Sequence, residues 1–129
     1  MRLLADTHAA LWWLSDDQRL SEAAREALAG AEEPLLSAGT LLEVSIKASL
    51  GKLEAPEEWA EELLAEGFAL LGISMAHARA YRELPYVEVN RQLLRDPFDR
   101  LLVSQAEVEG VPIVTRDPGI AAHGTPTIW

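Results

Sequence analysis

Five acidic residues draw attention by where they fall. Asp6 closes the apolar run "RLLA" (Arg2–Ala5), and Asp117 follows the apolar run that ends in "VTRDPG" (Val114–Gly119). Glu43 shares with Lys47 the one polar sector of "TLLEVSIKASL" (Thr40–Leu50), and Asp96 and Asp99 open "RDPFDRLLVSQA" (Arg95–Ala106). Asp96 before Pro97 is explained as a helix cap. Asp99 is not, although a carboxylate in a first turn also suits the helix dipole. It lies on the same side of the helix as Leu102, Val103 and Ala106 and so points toward the packed face. A charge aimed there is costly unless it is paired or bound to a cation. Asp6, Glu43, Asp99 and Asp117 are therefore the candidate catalytic and metal-binding residues. Two unit charges about 5 Å apart at an effective dielectric near 20 repel by ~3 kcal/mol. Without a cation, one or more of them would take up protons. Hard divalent ions, Mg²⁺ or Mn²⁺, remove that repulsion and accept oxygen ligands while keeping waters. Such a centre suits phosphodiester hydrolysis by metal-activated water and needs neither a histidine base nor a serine nucleophile. Spacing leaves open whether one or two ions bind.

The elements that must carry these residues are legible from apolar runs and breakers. Arg2–Ala5, "PLLS" (Pro34–Ser37), "FALLGI" (Phe68–Ile73) and "VPIVT" (Val111–Thr115) read as short buried strands, with "PTIW" (Pro126–Trp129) as an edge strand. Between them the pattern predicts a helical turn or two at Ala9–Leu14. Further helices follow from a Ser21 cap to Leu28, over Thr40–Leu50, and over Glu57–Glu66 behind Pro56. Two more run from a Ser74 cap to about Leu84 and from Asp96 to Gly110. Tyr86–Leu94 lacks a pattern and reads as a loop, and "DPG" after Arg116 as a turn. Apolar rather than alternating strands, interleaved with helices, predict an α/β fold. Its sheet is central, mostly parallel and short-stranded, with helices on both faces. In such folds sites lie beyond the carboxyl ends of the strands, where Asp6 and Asp117 fall.

Composition bounds the function. A chain of 129 residues with 49% hydrophobic content supports one domain with a real core, over residues 1–129. The absence of cysteine excludes disulfides, thiolate metal sites and cysteine nucleophiles. "MRLLADTH" reads as neither signal peptide nor membrane span, so a soluble, cytoplasmic protein with no membrane partner is expected. A net charge of −10 argues against nucleic-acid binding by overall electrostatics, so metal ions and local arginines would have to compensate. Much of the acidity sits in "EAPEEWAEELLAEG" (Glu54–Gly67), read as a solvated helix face.

In this order, "LLADTHAALWWL", "SAGTLLEVSIKASLGKL", "RDPFDRLLVSQA" and "IVTRD" resemble the PIN-domain ribonucleases, specifically the VapC-type toxins of prokaryotic toxin–antitoxin pairs. The resemblance covers nearly the whole chain. It implies a metal-dependent endoribonuclease in which Asp6, Glu43 and Asp99 are the main ligands of Mg²⁺ or Mn²⁺, with Asp117 contributing directly or through water. It also implies an RNA substrate, a homodimer, and a cognate antitoxin able to push a basic side chain into the acidic site. The chain departs from the pattern at Leu42, where relatives often carry tryptophan, and in "VEVNRQLL" (Val87–Leu94), where relatives carry a shorter segment with a histidine. The second departure bears on substrate choice.

Around the quartet, Thr7 and Thr115 are placed to hydrogen-bond ligands or metal waters. Arg95, Arg100 and Arg116 serve either as helix and ion-pair residues or as phosphate anchors. His8, two residues after Asp6, reads as a packing or hydrogen-bonding neighbour rather than as a base, and His77 and His123 have no metal-site spacing. Trp12 and Trp13 point about 100° apart on a helix, so one of them is expected to look away from the core. Two rival readings share the acidic pocket. A phospho-acceptor signalling module would want a second acid beside Asp6 and a lysine after a late strand, where Thr7-His8 and Arg116-Asp117 stand. A catalytically inactive interaction module would need one carboxylate out of place.

Overall fold

The computed structural model describes residues 1–129. In chain order its elements are β1 (Arg2–Ala5), α1 (Thr7–Leu14), α2 (Glu22–Gly30), β2 (Glu33–Ser37), α3 (Ala38–Ser49), α4 (Trp59–Ala65) and β3 (Ala69–Leu71). They continue with α5 (Met75–Glu83), β4 (Glu88–Val89), β5 (Gln92–Leu93), α6 (Pro97–Glu109), β6 (Ile113–Val114), α7 (Pro118–Ala121) and β7 (Thr127–Ile128). Five strands form one parallel sheet in the order β3-β2-β1-β6-β7, with β1 at its centre. This is the doubly covered α/β sheet that the apolar strands predict.

Register shows why those strands are apolar throughout. Leu4 pairs with Leu35 and Ile113, and all three enter the core beneath α6 with Leu102, Val103 and Ala106. One residue on, Ala5 pairs with Leu36 and Val114 and faces the other way. That side joins Ala9 and Trp12 of α1, Leu28 of α2 and Leu63 of α4. Successive strand residues alternate between faces, so a sheet buried on both sides has no position for a polar residue until the strand ends.

Helix starts follow local chemistry. Ser21, Ser37, Ser74, Asp6, Asp96 and Asp117 each cap a helix through the side chain. Gly110 ends α6 in the left-handed region at φ 68°. At Gly39 the reason for glycine is proximity: a Cβ there would run into the Leu101 side chain, so α3 and α6 approach closely. That approach brings Glu43 toward Asp99.

Three expectations are corrected. Tyr86–Leu94 is a hairpin rather than a loop, with β4 and β5 antiparallel around Asn90 (φ 52°) and Arg91 (φ 63°). Two left-handed residues make the tight turn whose twist matches that of paired strands, and the arginine hid it because glycine is the usual second residue. "DPG" opens a helical turn, α7, because Asp117 caps it. The helix after Pro56 begins at Trp59 rather than Glu57, and Glu58 caps it without a side-chain hydrogen bond. The acidic face of α4 is exposed at Glu61 and Glu62, as expected.

Candidate functional site

The site is assembled at the carboxyl ends of the two central strands. β1 ends at Ala5, and Asp6 turns the chain into α1. Its Oδ1 accepts the Ala9 N–H at 2.7 Å, and its Oδ2 accepts the Thr115 hydroxyl. Thr115 follows β6 directly and its Oγ1 also accepts the Asp117 N–H at 3.0 Å, so one hydroxyl ties the two strand ends together. Asp117 caps α7 through Gly119 N–H at 2.8 Å. Asp6 is 6% exposed, and loss of water raises its carboxyl above the ordinary value despite the hydrogen bonds it accepts.

Glu43, one turn into α3, is 7% exposed. The Thr7 hydroxyl donates to its Oε1 at 2.5 Å and the Lys47 ammonium to its Oε2 at 2.8 Å. The carboxylates around it, Glu43 first and then Asp96 and Asp99, hold Lys47 in its charged form above its ordinary value. Asp99 completes the cluster from the first turn of α6. Asp96 does the capping, accepting the N–H groups of Phe98 at 2.8 Å and Asp99 at 3.2 Å, which leaves the Asp99 carboxylate over. Burial pushes Asp99 up to about 7, assisted by repulsion from Asp96, Asp117, Glu43 and Asp6. The other three sequence-selected acids therefore all act on Asp99, and Asp117 acts on Asp6 as well.

The donor set fits a hard divalent cation. It is all oxygen, its members repel, and the ammonium of Lys47 already stands among them as a countercharge. No three acidic or histidine side chains are drawn close enough to enclose an ion by themselves. An ion held here would complete its shell with water, as Mg²⁺ usually does.

The remaining candidates separate by burial. Thr7 and Thr115 touch the carboxylates themselves. Arg95 and Arg116 are exposed beside them. Arg100 is 1% exposed and turned to the backbone, donating to the carbonyls of Leu84 (2.8 Å), Tyr81 (3.3 Å) and Pro85 (3.3 Å). Its guanidinium carbon also lies 3.8 Å from the centre of the Tyr86 ring. Of the two roles open to it, the structure gives Arg100 that of fastening the α5–β4 connection to α6.

His77 is 2% exposed; its Nδ1 accepts the Ser74 N–H at 3.0 Å and its Nε2 meets Glu109 Oε2 at 2.9 Å. His123 hydrogen-bonds the Gly119 carbonyl through Nδ1. Trp12 is buried, and Trp13 packs half-buried on Phe68 with ring centres 6.3 Å apart, so neither faces out freely. Sequence reasoning missed Lys47 as part of the site. Its signal, a basic residue four positions from Glu43, is shared by many exposed helix pairs.

Two cavities flank the carboxylates. One, of about 460 Å³, is lined by Asp96 and Asp99 together with Gln92, Leu94, Arg95 and others. The second, of about 380 Å³, opens at Asp6 and Asp117.

Comparison with known proteins identifies the fold and its family. The family model described as PIN domain matches residues 3–125. The ribonuclease VapC22 of Mycobacterium tuberculosis (strain ATCC 25618 / H37Rv) is 31% identical over 133 residues, 98% of each chain. Among solved structures, the fold is shared with the DNA-bound VapBC of Salmonella typhimurium (TM-score 0.67, 17% identity, 98% of this chain and 96% of that one). It is shared also with M. tuberculosis VapC20, described as a sarcin–ricin loop cleaving toxin (TM-score 0.64, 17% identity, 95% of each chain). With the acidic cluster at the strand ends and a family match over nearly its whole length, the chain belongs to the PIN-domain family.

Proposed function

We propose that this chain is a metal-dependent endoribonuclease, folded as one domain over residues 1–129, that acts as the toxin of a toxin–antitoxin pair in the cytoplasm. The observation that carries the reading is the convergence of Asp6, Glu43, Asp99 and Asp117, with Asp99 pressed up to about 7 by burial and by the other carboxylates. Asp6, Glu43 and Asp99 would hold Mg²⁺ or Mn²⁺, one ion or two, with Asp117 contributing directly or through water. Such an ion, when bound, supplies activated water and neutralises charge on the phosphate oxygens.

The chain's own residues supply the positioning. Thr115 and the Ala9 N–H fix both oxygens of Asp6, Thr7 and Lys47 fix both oxygens of Glu43, and Asp96 caps α6 so that Asp99 is free to bind. Thr7 and Thr115 thus act on the ligands, while Arg95 and Arg116 are the exposed cations available to substrate phosphates. RNA as substrate is supported by the relative named a ribonuclease and by the toxin described as cleaving the sarcin–ricin loop.

A cognate antitoxin and a second copy of the chain are the partners this reading expects. An acidic site on a chain of net charge −10 suits a basic antitoxin side chain, and Leu42, Ile46 and Leu50 leave an exposed apolar stripe along α3. No helix is long and apolar enough to cross a membrane.

The test is cleavage of a mixed RNA pool by antitoxin-free protein, with Mg²⁺ or Mn²⁺ and with chelator, beside Asp99→Asn. Cleavage that needs metal and disappears in the variant supports the reading. RNA left equally intact by both proteins, with metal bound by the wild type, removes it in favour of a signalling or interaction module.

A further inference from the structure

The second cavity has a chemistry of its own. Asp6 and Asp117 line it, so whatever lies in it lies beside the carboxylates. Trp12 lines it too, with the guanidinium carbon of Arg116 4.6 Å from its ring centre and that of Arg19 4.8 Å away. Trp129 meets Trp12 edge-on at 5.9 Å, and the ring of His8 lies 5.4 Å from it. Arg19 is partly neutralised by Asp17, which accepts from its Nε at 3.1 Å and its Nη2 at 2.8 Å. Arg116 makes no ion pair at all and is exposed. Stacking engages the face of a guanidinium and leaves its edge of N–H donors available for phosphate oxygens.

Flat aromatic surface beside the free cationic edge of Arg116, at the end of a carboxylate cluster, complements one kind of molecule: a planar base carrying an anionic phosphate. A basic peptide suits the carboxylates but would meet Arg116 and Arg19 here. We propose that this cavity is a nucleotide subsite of the RNA strand. In it Arg116, with help from Arg19, holds the phosphate next to the scissile one, and Trp129 and His8 receive the base. The proposal rests on the nuclease reading for the identity of the strand, and it explains how a chain of net charge −10 retains a polyanion. Base stacking on an aromatic ring tolerates any sequence, so this subsite holds the strand in place and leaves sequence choice to other contacts.

The test is fluorescence anisotropy with a 5′-fluorescein-labelled, single-stranded RNA octamer pool in chelator, where metal-dependent cleavage is stopped, titrated over a range of KCl. Arg116→Ala should weaken binding about tenfold and flatten the slope of log affinity against log salt by about 0.7, the value for one phosphate contact on a single strand. Trp129→Ala should weaken binding about tenfold with the slope unchanged, because stacking releases no counterion. Trp129→Phe should restore most of the affinity, and Arg116→Lys should restore the slope. Thermal unfolding of each variant guards against misfolding, and the exposed Arg116 decides the matter if Trp129→Ala fails to fold.

Wild-type affinity and slope in Arg116→Ala, or a wild type that binds no octamer, overturns the subsite. The two readings fail separately. Metal-dependent cleavage with binding indifferent to these residues leaves the nuclease standing and removes the subsite. Binding that depends on them in a protein that cleaves nothing does the reverse.

Discussion

Asp99→Asn should make the metal-free protein more stable at pH 8, although it removes a residue the proposed chemistry needs. Burial and four neighbouring carboxylates raise Asp99 from an ordinary 3.8 to about 7. A raised carboxyl means that the folded state binds the proton more tightly than the unfolded one. Asp99 therefore costs nothing below about pH 4, where both states are protonated, and its cost grows as the pH rises from about 4 to about 7. A shift of about 3 units would amount to ~4 kcal/mol if fully realised. Asp99 is only half-buried, so solvent screening reduces this to about 1.5 kcal/mol. Asparagine also forfeits about 0.5 kcal/mol of helix-dipole interaction.

The net gain of about 1 kcal/mol corresponds to a rise in Tm of about 4 °C for a chain of this length. The assay is thermal unfolding by circular dichroism in chelator, wild type beside variant, from pH 4 to pH 8. Only the difference between the two proteins is read, since every other titrating group is common to both. The difference should be near zero at pH 4 and reach its full value above pH 7. Saturating Mg²⁺ at pH 8 should reverse the order, because a ligand at 100 times its Kd adds about 2.7 kcal/mol to the protein that binds it. A variant no more stable than wild type at pH 8, or a gain that does not change with pH, would refute the claim that burial and neighbouring carboxylates raise Asp99.

Lys47→Met takes the ammonium away from Glu43 and should lower metal-free stability by about 1–2 kcal/mol, with Mg²⁺ recovering most of the loss; paired melting curves decide this. Arg100→Ala leaves three backbone carbonyls without their donor and two tyrosine rings without their cation. It should cost about 3 kcal/mol by urea unfolding, and a loss below 1 kcal/mol would contradict the fastening role. His77→Ala removes one half of the α5 capping box and the contact with Glu109, for an expected loss of about 2 kcal/mol in the same experiment. Arg91→Gly relieves a left-handed backbone at the hairpin tip and should add about 1 kcal/mol, seen as a rise in Tm.

What the sequence determined by itself was local geometry and, through it, the identity of the acids. Ser21, Ser74 and Asp96 had to start helices because a short polar side chain satisfies the first N–H groups of the helix that follows it, whereas the turn read at Asp117 hid a fourth such cap. Runs such as "RLLA" and "PLLS" had to be strands of a doubly covered sheet because they offer no polar face. Once those elements are drawn, Asp6 and Asp117 fall at strand ends and Asp99 on the inner side of a helix. The cluster is then legible before any contact is known.

Tertiary structure decided everything that depends on which residues meet across the chain. Thr115 reaches Asp6 from 109 positions away because β6 runs beside β1. Lys47 becomes the cluster's countercharge only because α3 lies against α6 through Gly39. Arg100 looked like a surface cation beside an acidic site and proved to be buried, since its surroundings are carbonyls and rings of a separate segment. Arg19, Arg116 and Trp129 share no spacing that would group them, and it is the packing around Trp12 that brings their side chains into one cavity. Dihedral preference and apolar period are properties of neighbours in the chain. Charge pairing, desolvation and stacking are properties of neighbours in space.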